Sequence, residues 1–487
     1  MQIRLENIGI VKDSTIALNG LTVITGKNNS GKTTVGKTLY ALLDSVCNLQ
    51  QKAKSDRRYY IKMQLENVAS ALELFRYIRI RKSELQLALF SDYPALKKFL
   101  GRDYLRGVFP DDIEKYAHEL ANELEKFDVS ILEKINNDQG LLPYSRQFLL
   151  LTEKNNDTSI VNVFNTQRNN ALVILEQLFA NLDKDAELVD YARESINQTL
   201  QVEFSNQIQP ISTNVPYSKI ELSDGDSIFF DVKVINNNVV NNEYPVFYSS
   251  PYRKVYLIDD PFIIDDAPTY GMYRGSEIVE TETIFNPNRI YPHNNKLKAV
   301  LRKRTELSIF EQTVLADSLK VVKAQIDQVI PGTFEFTSDG EYYIQNGVKL
   351  KVSNLATGSK MFSIVKMLLE KGELDSGTML ILDEPEAHLH PQWQNTFAEI
   401  IVLLVKELNV NILLTTHSPN FMLALDAYMR KYEIAEKTNF YQTSAMEDGF
   451  VQYHCLNNDM GKIYQDFLQY LSEAKMLRNK YLTYAEE

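Results

Sequence analysis

Apolar and polar residues alternate with a period of two over residues 2–10 (Gln-Ile-Arg-Leu-Glu-Asn-Ile-Gly-Ile), which predicts a half-buried strand. A second short strand is predicted near 15–18. Residues 21–25 (Leu-Thr-Val-Ile-Thr) do not alternate, and a short β-branched run of this kind predicts a strand buried on both faces. From Thr33 to Leu43 the apolar positions take helical spacing, so a strand-to-helix turn must fall between them.

Helical character dominates from about Ala41 to about Gln207, with breaks at Pro94, Pro110 and Pro143. Ile61, Leu65, Val68, Leu72 and Phe75 recur at spacings of four and three, a stripe that lasts only about two heptads and predicts a helical hairpin or small bundle. Period two returns over 218–240, with turns at Asp224-Gly225 and 236–238. A buried strand at 254–258 then ends in Asp259-Asp260. Helix is predicted over about 295–330, followed by a hairpin of 333–336 and 341–345 turning at Asp339-Gly340. Two further apolar strands, 379–382 and 411–416, precede a strand pair after Thr438 and a terminal helix from about Met460 to Leu482. The expected organisation is α/β: a head of 1–50 and 208–437, a helical insertion of 51–207, and a strand pair with helix over 438–487.

The predicted turn reads Gly26-Lys27-Asn28-Asn29-Ser30-Gly31-Lys32-Thr33-Thr34. Glycines let such a loop curl with its N–H groups inward, Lys32 reaches the β- and γ-phosphates of a nucleotide, and the Thr33 hydroxyl is placed for Mg²⁺. Gly26, Asn28, Asn29, Ser30, Gly31, Lys32, Thr33 and Thr34 are therefore candidate ATP-binding residues. The strand at 379–382 leads into Asp383-Glu384-Pro385. Asp383 is a candidate for holding Mg²⁺, and Glu384 for orienting or deprotonating an attacking water. The strand at 411–416 leads into His417, and the carboxyl ends of parallel strands open into one crevice. Lys32, Asp383, Glu384 and His417 are expected to meet there.

A formal net charge of -12 and a pI near 5.2 set the whole surface against nucleic acid and anionic membranes. The charge is uneven, however. Residues 51–90 carry nine basic side chains (Lys52, Lys54, Arg57, Arg58, Lys62, Arg76, Arg79, Arg81, Lys82) against four acidic, and 111–140 carry nine acidic against three basic. Either the basic stretch meets a nucleic-acid backbone or an acidic protein, or the two stretches face each other or the solvent. Cys47 and Cys455 are too far apart in sequence for a metal or disulfide motif and suit a reducing compartment. No apolar run approaches the roughly 18 residues of a spanning helix and no leader pattern follows Met1, so a soluble cytoplasmic protein without membrane contact is expected. His388 and His390 form an H-x-H pair that reads as ordinary loop rather than metal ligands, and Trp393 reads as packing.

Phosphate loop, Asp-Glu strand and late histidine strand, in this order and with a large helical insertion, resemble the ABC-type ATPase heads of the Rad50/SMC and OLD-related kind. The run Leu382-Asp-Glu-Pro-Glu-Ala-His-Leu-His-Pro391 is similar to the Walker B segment of stand-alone OLD-like AAA ATPases. The resemblance implies that Glu384 is the catalytic glutamate, His417 the switch histidine facing the γ-phosphate, and 386–391 the D-loop. It also implies a signature loop that contacts ATP on an opposing subunit, here 354–362, with Gly358 and Ser359 as candidate phosphate contacts. Ala356 stands where the family has serine, which implies slow hydrolysis, and no Q-loop glutamine is found near Asp259-Asp260. About fifty residues follow the head, too few for a TOPRIM nuclease domain. The favoured expectation is a homo-oligomeric ATPase that pairs head to head and controls a separate nuclease effector, as in PARIS-type or Septu-type anti-phage systems. The alternatives are a Rad50/SMC-like repair ATPase, whose arms would need more heptads, and a transporter's nucleotide-binding subunit.

Overall fold

The computed structural model describes residues 1–72, 75, 92–100, 110–130, 160–184, 188–211, 215–240, 248–265, 292–302, 316–337, 340–457, 461 and 472–481. They fall into two compact units, one of Met1–Leu49, Leu188–Phe285 and Arg289–Glu487, the other mainly of Gln50–Glu187. The strands are β1 (Gln2–Ile8), β2 (Val11–Ala17), β3 (Leu21–Thr25), β4 (Ser218–Asp224), β5 (Ser227–Ile235), β6 (Asn238–Val240), β7 (Lys254–Ile258), β8 (Thr333–Thr337), β9 (Gly340–Gln345), β10 (Val348–Lys351), β11 (Thr378–Asp383), β12 (Asn411–Thr416), β13 (Thr438–Ala445) and β14 (Val451–Cys455).

In the first unit, 11 of these make one mixed sheet in the order β6-β5-β4-β1-β2-β14-β13-β3-β12-β11-β7. From β6 to β2 every pairing is antiparallel. From β13 to β7 every pairing is parallel. The parallel strands are covered on both faces, and their alternate residues enter different cores. Leu380 and Leu382 of β11 pack with Ile412 and Leu414 of β12 on one face, whereas Met379 and Ile381 pack with Leu413 and Ile24 on the other. Burying side chains of this size stabilises by roughly 1.5–3 kcal/mol each, which explains why these strands carry no polar alternation.

The first core is closed by α9 (Thr357–Glu370), α10 (Pro391–Leu408) and α11 (Pro419–Lys431), the second by α1 (Lys32–Val46) and α6 (Leu188–Glu203). The intervening helices are α2 (Leu49–Ala71), α3 (Pro94–Phe99), α4 (Ile113–Lys126), α5 (Ile160–Leu182), α7 (His293–Arg302) and α8 (Ala316–Asp327).

Three expected boundaries shift. Residues 188–203 belong with the head and not with the insertion, because Ala192, Ile196 and Leu200 of α6 share the core of α1 and Ser45 Oγ donates to Thr199 Oγ1 at 3.0 Å. The strand pair after Thr438 is not a separate appendage. β13 runs parallel to β3 with Phe440 opposite Val23, so the pair lies in the middle of the sheet. Val348–Lys351 adds a third strand to the predicted hairpin of β8 and β9, a four-residue edge too short to register as a pattern. The predicted helix of 295–330 is found as α7 and α8, and 303–315 lie outside the described residues, as do Asp339, Pro143 and most of the terminal helix beyond 472–481.

The second unit has its own core. Ile61, Leu65, Val68, Leu72 and Phe75 are all buried against Leu96, Leu120, Leu124, Phe164 and Leu175. Pro94 starts α3 at its first turn, where the missing N–H costs nothing. Arg57 forks onto Glu114 (Nε to Oε2 3.1 Å, Nη2 to Oε1 2.9 Å), and both Nη groups of Arg58 donate to the carbonyls of Pro110 and Asp111. Of the two readings of the charged stretches, these contacts favour the one in which they face each other. Arg76, Arg79, Arg81 and Lys82 lie outside the described residues.

Candidate nucleotide site

Sheet register assembles the site. Thr25 at the end of β3 pairs with Thr416 of β12, Thr415 pairs with Asp383 of β11, and Leu382 pairs with Ile258 of β7. Residues just past these positions therefore stand side by side at one sheet end, although up to 391 positions apart in the chain.

Between β3 and α1 the loop curls as its glycines require. Gly31 sits in the left-handed region at φ 75°, and α1 begins there with no side-chain cap, which leaves its first N–H groups for a ligand. A Cβ on Gly26 would lie 1.8 Å from Thr443 Oγ1. Lys27, Asn28 and Asn29 form the exposed crest, with Asn29 also left-handed at φ 59°. Ser30 Oγ accepts from Thr443 Oγ1 at 2.8 Å, and Tyr453 Oη donates to Gly31 O at 2.6 Å. Burial pushes the Tyr453 hydroxyl far up from its ordinary pKa, so it stays a donor. Thr443 and Tyr453, on β13 and β14, brace the loop from the far end of the chain. Neither carries a sequence signal, because only the sheet order brings them there.

Lys32 is buried and folds back, its Nζ donating to Gly26 O at 3.1 Å and Lys27 O at 2.8 Å and lying 3.3 Å from Glu384 Oε1. Thr33 Oγ1 donates to Asp383 Oδ2 at 2.7 Å, and the Thr415 hydroxyl donates to Asp383 Oδ1. These oxygens, a hydroxyl and a carboxylate in contact, are the hard donor set that Mg²⁺ takes, so Thr33 and Asp383 fit the role expected of them. Thr34 N donates to Gly31 O at 3.0 Å within the first turn.

Glu384 adopts a left-handed backbone, φ 47°, which costs a non-glycine residue about 1–3 kcal/mol. Its N–H is held by Thr415, at 3.1 Å from O and 3.0 Å from Oγ1. The strained turn aims the carboxylate between two partners, Lys32 Nζ on Oε1 and His417 Nδ1 on Oε2 at 3.2 Å. Lys32, Thr33, Asp383, Glu384 and His417 are thus one connected group.

Gly358 and Ser359 are not part of it. Both are buried at the start of α9, where a Cβ on Gly358 would lie 3.1 Å from His388 O and 3.2 Å from the Trp393 ring, and Ser359 N donates to Ala356 O at 2.8 Å. The outward part of this loop is Ala356, exposed, and Thr357, half-buried. Trp393 packs edge-on to Phe362 with ring centroids 5.9 Å apart. His390 caps α10 through Nδ1, and His388 lies edge-on to Phe262. Asp259, where a Q-loop was sought, faces His293 Nε2 at 2.9 Å, and His293 Nδ1 faces Glu203 at 2.7 Å.

Among the described residues no helix is long and apolar enough to cross a membrane. Solved structures that match across most of the chain include the SMC head domain of Thermotoga maritima (10% identity, 93% of this chain and 97% of that one, TM-score 0.32) and an SMC head bound to the C-terminal winged-helix domain of ScpA (10%, 95% and 98%, 0.36). A curated relative, "Retron Vc95 probable ATPase" of Vibrio cholerae serotype O1 biovar El Tor, is 29% identical over 125 residues, 23% of each chain, so the match spans less than a quarter of that relative. The family model described as "AAA ATPase domain" matches residues 1–422, which include the phosphate loop, the Asp-Glu strand and His417. The chain belongs to the AAA ATPase domain family and is an ATPase.

Proposed function

We propose that this ATPase works as an ABC-type clamp. Two heads close on ATP, with Lys32, Thr33, Asp383, Glu384 and His417 from one chain and the 355–359 loop from the other, and the closed state controls a separate effector. The observation that carries the reading is the shared position of Glu384 between Lys32 and His417. Without nucleotide the Lys32 ammonium is satisfied by the loop carbonyls and by Glu384. A γ-phosphate competes for that ammonium and frees the carboxylate to accept a proton from a water that attacks phosphorus as the bond to ADP breaks. His417, 42% exposed at the strand end, then donates to the γ-phosphate. Mg²⁺ held by Thr33 and Asp383 would neutralise phosphate charge.

The retron ATPase among the relatives supports a role as one component of a defence system, for which PARIS-type or Septu-type ATPases are the finer assignment. Exposed Ala356 brings no hydroxyl to the opposing phosphate, which favours a slow clamp over a fast motor. The test is Glu384→Gln. Turnover should fall about 10²–10³-fold, and light scattering with ATP should show a persistent assembly of doubled mass. Unchanged turnover together with unchanged mass sinks the clamp.

A further inference from the structure

Two residues after Glu384 the same loop carries a second carboxylate with opposite surroundings. Glu386 is 1% exposed. Its Oε1 accepts two hydrogen bonds, from the Thr416 hydroxyl and from the His417 backbone N–H at 3.3 Å. Its Oε2 has no hydrogen-bond partner among the described residues. The Thr416 hydroxyl that donates to Glu386 also accepts from Ser418 N at 3.0 Å, so the carboxyl, Thr416 and the backbone on either side of His417 form one hydrogen-bonded unit. Glu386 thereby fixes the path of the chain at the point where His417 leaves β12. Glu384 N is fixed on Thr415, one residue earlier in the same strand. The two loops that carry the Glu384 carboxylate and the His417 imidazole are therefore tied together twice, once by each glutamate.

Burying a carboxyl with one oxygen unsatisfied is expensive, because that oxygen gives up its bonds to water and gains no donor in return. Burial raises the Glu386 pKa above the ordinary glutamate value, and the Thr416 bond offsets this only in part. Packing would be served better by an apolar side chain at this site. A costly polar group that touches the γ-phosphate-sensing strand end and no other charged partner suits a functional role.

We propose that Glu386 is the positioning residue for His417: through the Thr416 hydroxyl and the His417 amide it sets the distance of the imidazole from Glu384 and from the γ-phosphate. The assignment rests on the proposed role of His417. The group required is an acceptor at Oε1 and not a negative charge, so glutamine suffices and alanine does not.

The test is a double-mutant cycle on the full-length chain, with kcat and KM for ATP measured for Glu386→Ala, Glu386→Gln, His417→Ala and Glu386→Ala/His417→Ala. Misplacement of a reacting group by about 1 Å costs on the order of a hundredfold, so Glu386→Ala should lower kcat by about ten- to a hundredfold with KM within about twofold. Glu386→Gln should restore kcat to within about threefold, and in the His417→Ala background Glu386→Ala should add nothing further. A structural defect would instead lower kcat by the same factor with and without His417, and that result overturns the proposal, as does wild-type kcat in Glu386→Ala. If His417→Ala alone turns over normally, the reading of His417 itself has failed. If His417→Ala is slow and Glu386→Ala is not, only the positioning role falls.

Discussion

At the end of the parallel strands, charged and hydroxyl side chains are gathered inward: a buried lysine, two carboxylates and two threonines are linked contact by contact around the end of β11, none of the links longer than 3.3 Å. In the helical unit of Gln50–Glu187 the arrangement is inverted. Apolar side chains fill the middle, and the ion pair of Arg57 with Glu114 lies at the surface. Both regions follow a strict spacing, two in the strands and three-four in the helices. The first spacing brings unlike chemistry to one edge, and the second only brings like side chains to one face.

The widest separation between the two regions is expected from one substitution in each. Lys32→Ala should reduce ATP turnover by about a hundredfold or more and leave the urea midpoint nearly unchanged if, as proposed above, the side chain serves phosphate charge and not a core. Leu65→Ala removes a fully buried side chain from the helical core and should cost about 2–5 kcal/mol in unfolding, with turnover per folded molecule retained. If Leu65→Ala instead lowers kcat at full folding, the helical unit takes part in catalysis and the contrast is wrong.

The difference also explains what the sequence could convey. The loop at 26–34 and the acids at 383–384 were legible because phosphate binding and metal chemistry demand fixed residue types at short spacing. His417 followed from the rule that parallel strands end in a common crevice. Thr415, Thr443, Tyr453 and Glu386 were not legible, since each acts through a partner 31 to 422 positions away that only the sheet order supplies. The central placement of β13 and β14 was missed for the same reason: a strand pair late in the chain carries no mark of the gap it fills. In the helical unit the stripe from Ile61 to Phe75 correctly gave a buried face, but its partners on α4 and α5 have ordinary amphipathic spacing that names no neighbour.

A buried charge in the head sharpens the comparison, because it binds a proton and not a nucleotide. Burial alone would lower the pKa of His293, but the carboxylates of Asp259 and Glu203 beside its two ring nitrogens outweigh it and raise the value to about 9. A folded-state pKa above the unfolded value of about 6.5 means that the stabilisation is fully present below 6.5 and lost as pH rises through 9. Urea midpoints should therefore fall between pH 6.5 and 9.5, and His293→Gln should flatten that slope. A wild-type midpoint that stays level across this range would show that His293 is not held as the cation.

The smallest effect is expected at Arg57, and it decides whether the basic stretch is structural or faces a partner. Arg57 Nη1 also donates to Leu182 O at 3.2 Å, and its bond to Glu114 holds that carboxyl below its ordinary pKa. Both ionic partners are more than a third exposed, so the pair is screened and its loss should cost less than about 1 kcal/mol. Arg57 and Arg58 are occupied by Glu114, Pro110 and Asp111, which leaves few of their N–H groups for a phosphate backbone. The Arg57→Ala/Arg58→Ala chain should accordingly show the same DNA affinity as the wild type, with the same slope of log affinity against log salt. Two phosphate contacts would appear as a slope reduced by roughly 1.8, and that reduction would move the helical unit from a packed support to a nucleic-acid surface.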